Sequence, residues 1–449
     1  MTTSVDVQVI GAGPAGLAAA LRLHALGHRV AIVERTRFPR FQIGESLTRG
    51  VGQLLDRLAA TDAVAATPML QGLATLRLWE GEQELRSSVD RGGGAMVNRA
   101  SFDGALLDLA VSRGIQLHVG HHPIDAKIGI DARGRSAPGR RIATGTPTVA
   151  IWLDDPNAVL PHTRMEALSS GWLWGSPLPG GGSRVLALVD PCYLDVCGGA
   201  RRAMETLLAQ SRLFTPMATT HPIRGCDATA TIVIETSDGP GQPMFRAGEA
   251  AFTVDPISSS GVECALRSGL QASAAVHTVL TGGKVSLAHA FLWERMVEVI
   301  ASHARWAQHQ YAAAAMSGPF WQRRSTLTPP EPETPLLESL KTNMEWQPPR
   351  DPARSVCGWD SQVRLAADVR LEHRPCLEGD LVIARPVVTH PSLERPVAFV
   401  GDHDLASLLA DVQPGSLQAL VDRWSMRLHR QEACRLAGWS LRKGLLQLC

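Results

Sequence analysis

The sequence predicts an α/β fold, and three observations carry that expectation. The apolar run Val5-Asp6-Val7-Gln8-Val9-Ile10 reads as a buried strand, residues 12–25 as an Ala/Leu-rich helix closed by Gly27, and residues 29–33 as a second strand ending in Glu34. The turn between the first strand and the helix is Gly11-Ala12-Gly13-Pro14-Ala15-Gly16, a G-x-G-x-x-G pattern. Its glycines have separate tasks. Gly11 makes the tight turn, Gly13 lets the backbone approach a pyrophosphate, and Gly16 lets the helix sit close to the strand. Pro14 and Ala15 open the helix, whose free N–H groups and positive dipole end suit an anion. Glu34 sits where a carboxylate accepts both ribose hydroxyls of an adenosine, which favours a plain ribose over a 2′-phosphate.

At 449 residues the chain has room for two or three structural units. Its formal net charge of +1 gives no long-range pull on nucleic acid or on an anionic membrane. The first residues, Met1-Thr2-Thr3-Ser4, run straight into a strand, and no apolar run approaches a bilayer span. A cytoplasmic protein without a signal peptide or membrane segment is expected. The eight cysteines are scattered without C-x-x-C spacing and read as free thiols. Nothing completes a metal site around the nearest pair, Cys192 and Cys197, so no metal is expected.

In chain order, Glu34 is followed by Arg35-Thr36-Arg37-Phe38-Pro39-Arg40-Phe41-Gln42-Ile43-Gly44-Glu45-Ser46-Leu47 and an amphipathic helix over about 48–60. Arg35, Arg40 and Ser46 suit a second anion or polyol contact. Asn98 caps a helix over 99–113, with Phe102, Leu106, Leu109 and Ala110 on one face and Gly114 past its end. Short strands at 148–153 and 184–189 flank Gly171-Trp172-Leu173-Trp174-Gly175-Ser176-Pro177, where alternation puts Trp172 and Trp174 on one strand face. Asp255-Pro256 ends a strand, and Ser258-Ser259-Ser260-Gly261 opens a helix over 262–270. The organisation expected is 1–146 and 226–327 as two parts of one nucleotide-binding domain, with 147–225 as an inserted sheet. Residues 328–351 read as a Pro-rich linker and 352–449 as a C-terminal unit. That unit has strands at 380–385 and 396–400 and helices at 416–424 and 431–446.

Several of these stretches carry a resemblance. Phe38-Pro39-Arg40-x-x-x-Gly44-Glu45-Ser46-Leu47 after a G-x-G-x-x-G unit resembles the flavoprotein superfamily of the flavin-dependent halogenases, the geranylgeranyl reductases and related monooxygenases. Asn98-Arg99-Ala100-Ser101-Phe102-Asp103 is similar to its R-x-x-F-D-x-x-L segment, and Asp131-Ala132-Arg133-Gly134-Arg135-Ser136 to its D-A-S-G-R-S strand end. The run from Gly248-Glu249 through Asp255-Pro256-Ile257-Ser258-Ser259-Ser260-Gly261-Val262 resembles G-D-A-A-x-x-x-D-P-x-x-S-S-G-V. The resemblance implies a Rossmann-like FAD domain, three-layered and glutathione-reductase-like, with an inserted α+β substrate domain and a small C-terminal α+β domain. It implies FAD held by Gly11, Gly13, Pro14, Ala15, Gly16, Glu34, Arg35, Arg40, Ser46, Arg99, Glu249, Asp255, Gly261 and Val262. Pro256, Ser260, Gly261 and Val262 would form the flavin-ring environment, where a helix N-terminus stabilises negative charge on the reduced ring. Two departures stand out. Glu249 replaces the family's Asp, one methylene longer, and only about ten residues separate Gly120 from Asp131 where relatives carry a longer excursion.

Gly171-Trp172-Leu173-Trp174-Gly175-Ser176-Pro177 also resembles the halogenase fingerprint G-W-x-W-x-I-P, which makes Trp172 and Trp174 candidate walls of a substrate space. Halogenases of this family also place a Lys soon after G-E-S-L. Here the lysines are 127, 284, 341 and 443, and Arg cannot substitute because it stays protonated. Oxygenation by a C4a-hydroperoxyflavin, consuming O2, needs no such amine. The Trp motif, the shortened FAD domain and the added C-terminal unit narrow the resemblance to the flavoprotein monooxygenases that mature tryptophylquinone enzymes, of the type serving quinohemoprotein amine dehydrogenase. That implies hydroxylation of a Trp indole within a peptide subunit of the quinoprotein. Electrons would come from NAD(P)H or from reduced flavin supplied by a separate flavin reductase. Alternatives are a halogenase or hydroxylase of a small aromatic natural product, an isoprenoid reductase, and a non-catalytic flavin-bound chaperone. Glu45 and the histidines 118, 121 and 122 are the acid–base candidates.

Overall fold

The computed structural model describes residues 5–86, 94–120, 124–214, 221–234, 242–348 and 357–449. The chain divides into one unit of 1–277 with 295–344 and a second of 278–294 with 345–449. In the first unit the strand Val5–Ile10 is the centre of a five-stranded sheet in the order Met244–Arg246, Ala126–Asp131, Val5–Ile10, Val30–Glu34, Gln116–Val119. All four pairings are parallel. Val7 and Val9 have no exposed surface, as expected of a parallel sheet covered on both faces.

The helix after the first strand runs Pro14–Ala25, with Gly13 at its N-cap and no side chain capping it. Gly11 has φ +105°, and a Cβ there would meet the Ala132 carbonyl; a Cβ on Gly16 would run into the carbonyl of Gly11. A second helix, Gly261–Leu280, is much longer than the 262–270 expected. It packs on the first at Gly269, where an added Cβ would collide with the Ala15 carbonyl and reach within 3.0 Å of Ala18 Cβ. Gly248 turns at φ +64° beside Ala15, and its N–H donates to Ser268 Oγ at 2.6 Å.

The second sheet of this unit has seven strands in the order Arg224–Asp227, Val149–Asp155, Ser183–Val189, Gly171–Pro177, Thr163–Leu168, Thr75–Leu78, Gln83–Arg86. It is antiparallel except between Thr163–Leu168 and Thr75–Leu78. Strand alternation sorts its side chains to two faces. One face, with Ile151, Leu153, Leu173, Val185, Ala187 and Val189, packs on Ala203, Met204 and Leu207 of the helix Ala200–Gln210. The other face carries two rows read directly from the register: Arg224, Trp152, Leu186, Trp174, Met165 and Arg77, then Cys226, Ala150, Leu188, Trp172 and Ala167.

Three boundaries differ from those the sequence suggests. The sheet expected within 147–225 recruits strands from 75–86, because parallel pairing with Thr163–Leu168 buries Leu78 and Arg77. The Pro-rich stretch 328–351 contains the helix Pro335–Glu345, whose Leu336, Leu337, Leu340 and Met344 pack against Met296, Val297 and Ile300. The helix expected over 48–60 is Gly50–Arg57, followed by a short turn Thr61–Ala65.

The second unit has a hairpin of Arg370–Glu378 and Leu381–Thr389 and the helices Leu405–Ala410, Leu417–Trp424 and Arg430–Arg442 around a core that includes Val363, Leu405, Trp424 and Leu436. It also takes in residues 278–294, so its start lies outside the 352–449 expected; the Val382 N–H donates to Thr278 Oγ1 at 2.7 Å. All eight cysteines are free. Among the described residues no helix is long and apolar enough to cross a membrane, and no group of His, Cys, Asp and Glu is arranged to hold a metal ion.

The Gly269 contact is backbone against Cβ position, so no rotamer change relieves it. Gly269→Ala is expected to destabilise the protein by about 1–3 kcal/mol, seen as a lower urea midpoint at unchanged slope.

Candidate functional site

Glu34 and Arg40 lie beside the glycine turn, and the segments 43–48 and 255–263 are tied to each other. Glu34, at the end of the second strand, is buried and accepts from Ala12 N–H at 2.7 Å and Thr36 N–H at 3.0 Å, one bond to each carboxylate oxygen. Two backbone amides thus fix the carboxylate, and each oxygen keeps a lone pair for a hydroxyl. Arg40 places Nη2 3.5 Å from the position a Cβ on Gly13 would take, with its guanidinium over the Phe38 ring and Nη1 4.0 Å from Glu34. Its Nε is buried and has no hydrogen-bond partner. An orphaned guanidinium N–H beside an uncapped helix N-terminus and a glycine that leaves the backbone bare is what a pyrophosphate requires. The residues present therefore fit a dinucleotide.

The next segment, 43–48, is held from two sides. Arg99 grips the buried Asp103 with two 3.0 Å bonds and donates to Ile43 O at 2.9 Å, so it anchors this segment from below. Ser46 pairs with Met96 in a two-residue strand, and Thr48 Oγ1 donates to Glu263 Oε2 at 2.5 Å. Desolvation pushes the Glu263 carboxyl up, but hydrogen bonds from Thr48 and Arg267 outweigh it and hold the pKa low. Glu263 lies in the first turn of Gly261–Leu280, so the helix start and the 44–48 segment are tied together. Arg35 is exposed, and Glu249 faces Arg135 at 3.4 Å with half its side chain in solvent.

The run 255–262 forms a 3-10 turn, Pro256–Ser258, capped by the Asp255 side chain on Ile257 N–H, then Ser259 in the left-handed region at φ +51°, then the helix from Gly261. Ser259 is a non-glycine residue in a conformation that costs roughly 1–2 kcal/mol. Such an outlier between a cap and a helix start sets where Ser260, Gly261 and Val262 present their N–H groups. Desolvation raises the Asp255 pKa against hydrogen bonds from Ile257 N–H and the Tyr311 hydroxyl at 3.0 Å. The Tyr311 phenol is pushed well above its ordinary value, first by desolvation and then by Asp255.

The side chain of Ile257 packs onto the Trp172 row of the seven-stranded sheet, and the two expected tryptophans separate there. Trp172 is core: it is 3% exposed and meets Trp79 edge-on at 5.9 Å, and Trp79 meets Trp321 at 5.2 Å. Trp174, one row over, is only partly buried. In its row Trp152 stacks on Phe41 at 6.4 Å and 10°, with the Arg224 guanidinium 4.6 Å over Phe41 and the Arg184 guanidinium 5.3 Å away. Arg184 is buried between Glu45 and Asp154, bonding Asp154 at 2.5 and 2.8 Å and pairing with Glu45. Glu45 is therefore an anchor of the 38–47 segment on the sheet and is committed to that ion pair. His118 bonds Gln116 at 3.4 Å at the surface, while His121 and His122 lie outside the described residues.

Sequence inspection missed Phe41, Trp152, Arg184 and Arg224. A one-sided alternation in 149–155 and 183–189 was available as a signal, but which partner each strand takes decides the row, and that is not local.

A family profile described as FAD dependent oxidoreductase matches residues 6–142. The "Tryptophan 2-halogenase" of Chondromyces crocatus is 28% identical over 334 residues, which cover 63% of this chain and 63% of that protein. The chain thus matches under two thirds of that relative's length. The "1H-pyrrole-2-carbonyl-[peptidyl-carrier protein] brominase" of Pseudoalteromonas luteoviolacea (strain 2ta16) is 24% identical over 62% of this chain and 79% of its own. Among solved structures, "Peptidyl tryptophan dihydroxylase QhpG essential for tryptophylquinone cofactor biogenesis" superposes with TM-score 0.74 at 24% identity, over 99% of this chain and 100% of that one. CmlS, a flavin-dependent halogenase, superposes with TM-score 0.76 at 20% identity, over 100% and 96%. At these identities the two structures establish the fold.

Arg40→Ala removes a charge-assisted contact worth about 1.5–3 kcal/mol. FAD affinity, read by quenching of flavin fluorescence, is expected to fall roughly ten- to a hundredfold, and Arg40→Lys to recover part of it.

Proposed function

We propose that this chain, an FAD-dependent oxidoreductase with flavin halogenase and monooxygenase neighbours, hydroxylates the indole ring of a Trp side chain within a peptide or protein subunit. The observation that carries the proposal is the partly open aromatic row Trp152, Leu186 and Trp174, closed at one end by Phe41 and lying beside the 255–262 turn. Flat apolar walls with a guanidinium at the rim suit an aromatic ring carried on a polypeptide.

Bound FAD would supply the reducing equivalents and the activation of O2. The protein's own contributions are separate. The N–H groups at 261 and 262 would face developing negative charge without reorganising, and Arg40, Glu34 and the uncapped helix at Gly13 would hold the dinucleotide. Phe41, on the segment tied down through Glu45 and Arg184, stacks on Trp152 and covers that end of the row. That QhpG is a peptidyl tryptophan dihydroxylase supports a polypeptide client for a chain that superposes on its full length.

Halogenation is the second reading, and the named relatives support it equally. Against it stands the composition of the 38–60 stretch, which contains no Lys. Lys127 pairs with Asp6 at 3.0 Å at the end of the parallel sheet opposite Gly11.

Both are decided by intact-mass analysis of a Trp-bearing quinoprotein subunit incubated with the enzyme, FAD, NAD(P)H or reduced flavin, O2 and bromide. Gain of two oxygen atoms is the expected outcome, and a bromine isotope doublet refutes hydroxylation. Trp174→Ala is expected to lower kcat/KM for such a peptide roughly tenfold to a hundredfold, about 1.4–2.7 kcal/mol, with FAD affinity unchanged.

A further inference from the structure

His303 stands on the helix Val285–Ala312, away from every motif that drew attention in the sequence. Its Nδ1 lies 2.9 Å from the Val299 carbonyl, which can only accept, so Nδ1 carries a proton. Its Nε2 lies 2.9 Å from Ser260 Oγ; Ser260 Oγ is 2.6 Å from Ser258 Oγ; and Ser258 Oγ is 3.0 Å from the Asp255 carbonyl. Each hydroxyl owns one proton and has two lone pairs, and two arrangements run head to tail through both links between the ring and Ser258. With a neutral ring, Ser258 donates to Ser260 and Ser260 donates to Nε2. With a doubly protonated ring, Nε2–H donates to Ser260, Ser260 to Ser258, and Ser258 points its proton outward, in the resting structure to Asp255 O.

These two arrangements are the before and after of a single proton transfer. The Nε2 proton passes to Ser260, the Ser260 proton to Ser258, and the Ser258 proton to the oxygen atom of O2 that is released as water, which leaves the ring neutral. His303 also lines a cleft that opens to solvent, together with Thr144, Gln308 and Leu327, so water can reach it.

We propose that His303 is the proton store of the site, a positioning residue that delivers a proton through Ser260 and Ser258 to the start of the helix at Gly261. This relay presupposes the oxygenase function proposed above. Inserting one oxygen atom of O2 into a C–H bond takes two electrons and two protons and releases the other oxygen as water, so a proton supply is a stoichiometric need. The charged and titratable groups around His303 are the Asp255 and Glu263 carboxylates, the Tyr311 phenol and the Arg324 guanidinium, the last two lining the same cleft, and the Cys264 thiol 3.9 Å from Nε2. Burial pushes that thiol up to about 11, so it stays neutral and does not compete for the proton.

Two measurements on the full-length protein test the relay. Imidazole 15N NMR is expected to show neutral His303 as the Nδ1–H tautomer, with an Nε2 resonance that moves in Ser260→Ala, which removes its hydrogen-bond partner, and is restored in Ser260→Thr. An Nε2–H tautomer, or an Nε2 resonance indifferent to Ser260→Ala, overturns the proposal, and this holds even if the wild-type protein oxygenates no client. Where it does, His303→Gln and Ser260→Ala are expected to slow product formation about a hundredfold. Both should flatten the pH–rate profile and leave FAD affinity unchanged. Wild-type rate and pH profile in both variants, with the client still oxygenated, refute the relay and leave the proposed function standing.

Discussion

The first unit depends on one close approach, that of the helix Gly261–Leu280 to the helix Pro14–Ala25 at Gly269 and Ala15. Two helices that meet backbone to side-chain position hold their N-termini in a fixed relation, with no flexible side chain between them to absorb an error. One N-terminus, at Gly13, presents the anion-facing end of the glycine turn, and the other, at Gly261, presents the end tied to Thr48 through Glu263. Gly248 completes the contact from a third direction, packed on Ala15 and bonded to Ser268. Segments separated by more than two hundred residues are thereby held against one another.

The segment 38–47 depends in turn on a buried ion pair. Arg184, inside the sheet, holds Glu45 on one side and Asp154 on the other. Such a cluster contributes little net stability, since desolvating its charges offsets most of their attraction. Its value is geometric. Arg184 occupies a defined sheet row, so Glu45 reaches it only when the loop lies in one register, and in that register Phe41 stacks on Trp152.

How much of this was legible in the sequence varied with the range of the interaction. The Val5–Ile10 strand and the helix beyond the glycine turn were readable because their signals are local: an apolar run, a glycine spacing, a Pro at the first helical turn. Asn98 as a cap was readable for the same reason, and it accepts from the N–H groups of Ala100 and Ser101. The helix Pro335–Glu345 was hidden because the prolines around it signal irregular chain, while the leucines that bury it find their partners on the helix Val285–Ala312. The pairing of Trp172 and Trp174 on one face was foreseeable from alternation. Their different surroundings were not, because Trp79, which meets Trp172 edge-on, and Trp321, which meets Trp79, come from 93 residues before and 149 residues after Trp172. His303 left no local trace at all.

Ser259 imposes a constraint of another kind. A backbone held at φ +51° admits few amino acids: glycine without strain, asparagine and aspartate at small cost, serine at somewhat more, and a β-branched residue only by unwinding the turn. The neighbouring hydroxyls at 258 and 260 therefore sit on either side of a position with a very short menu of tolerated residues. As this sequence drifts, position 259 should vary among small polar residues while valine, isoleucine and threonine stay out of it, whatever client or chemistry the surrounding pocket comes to serve.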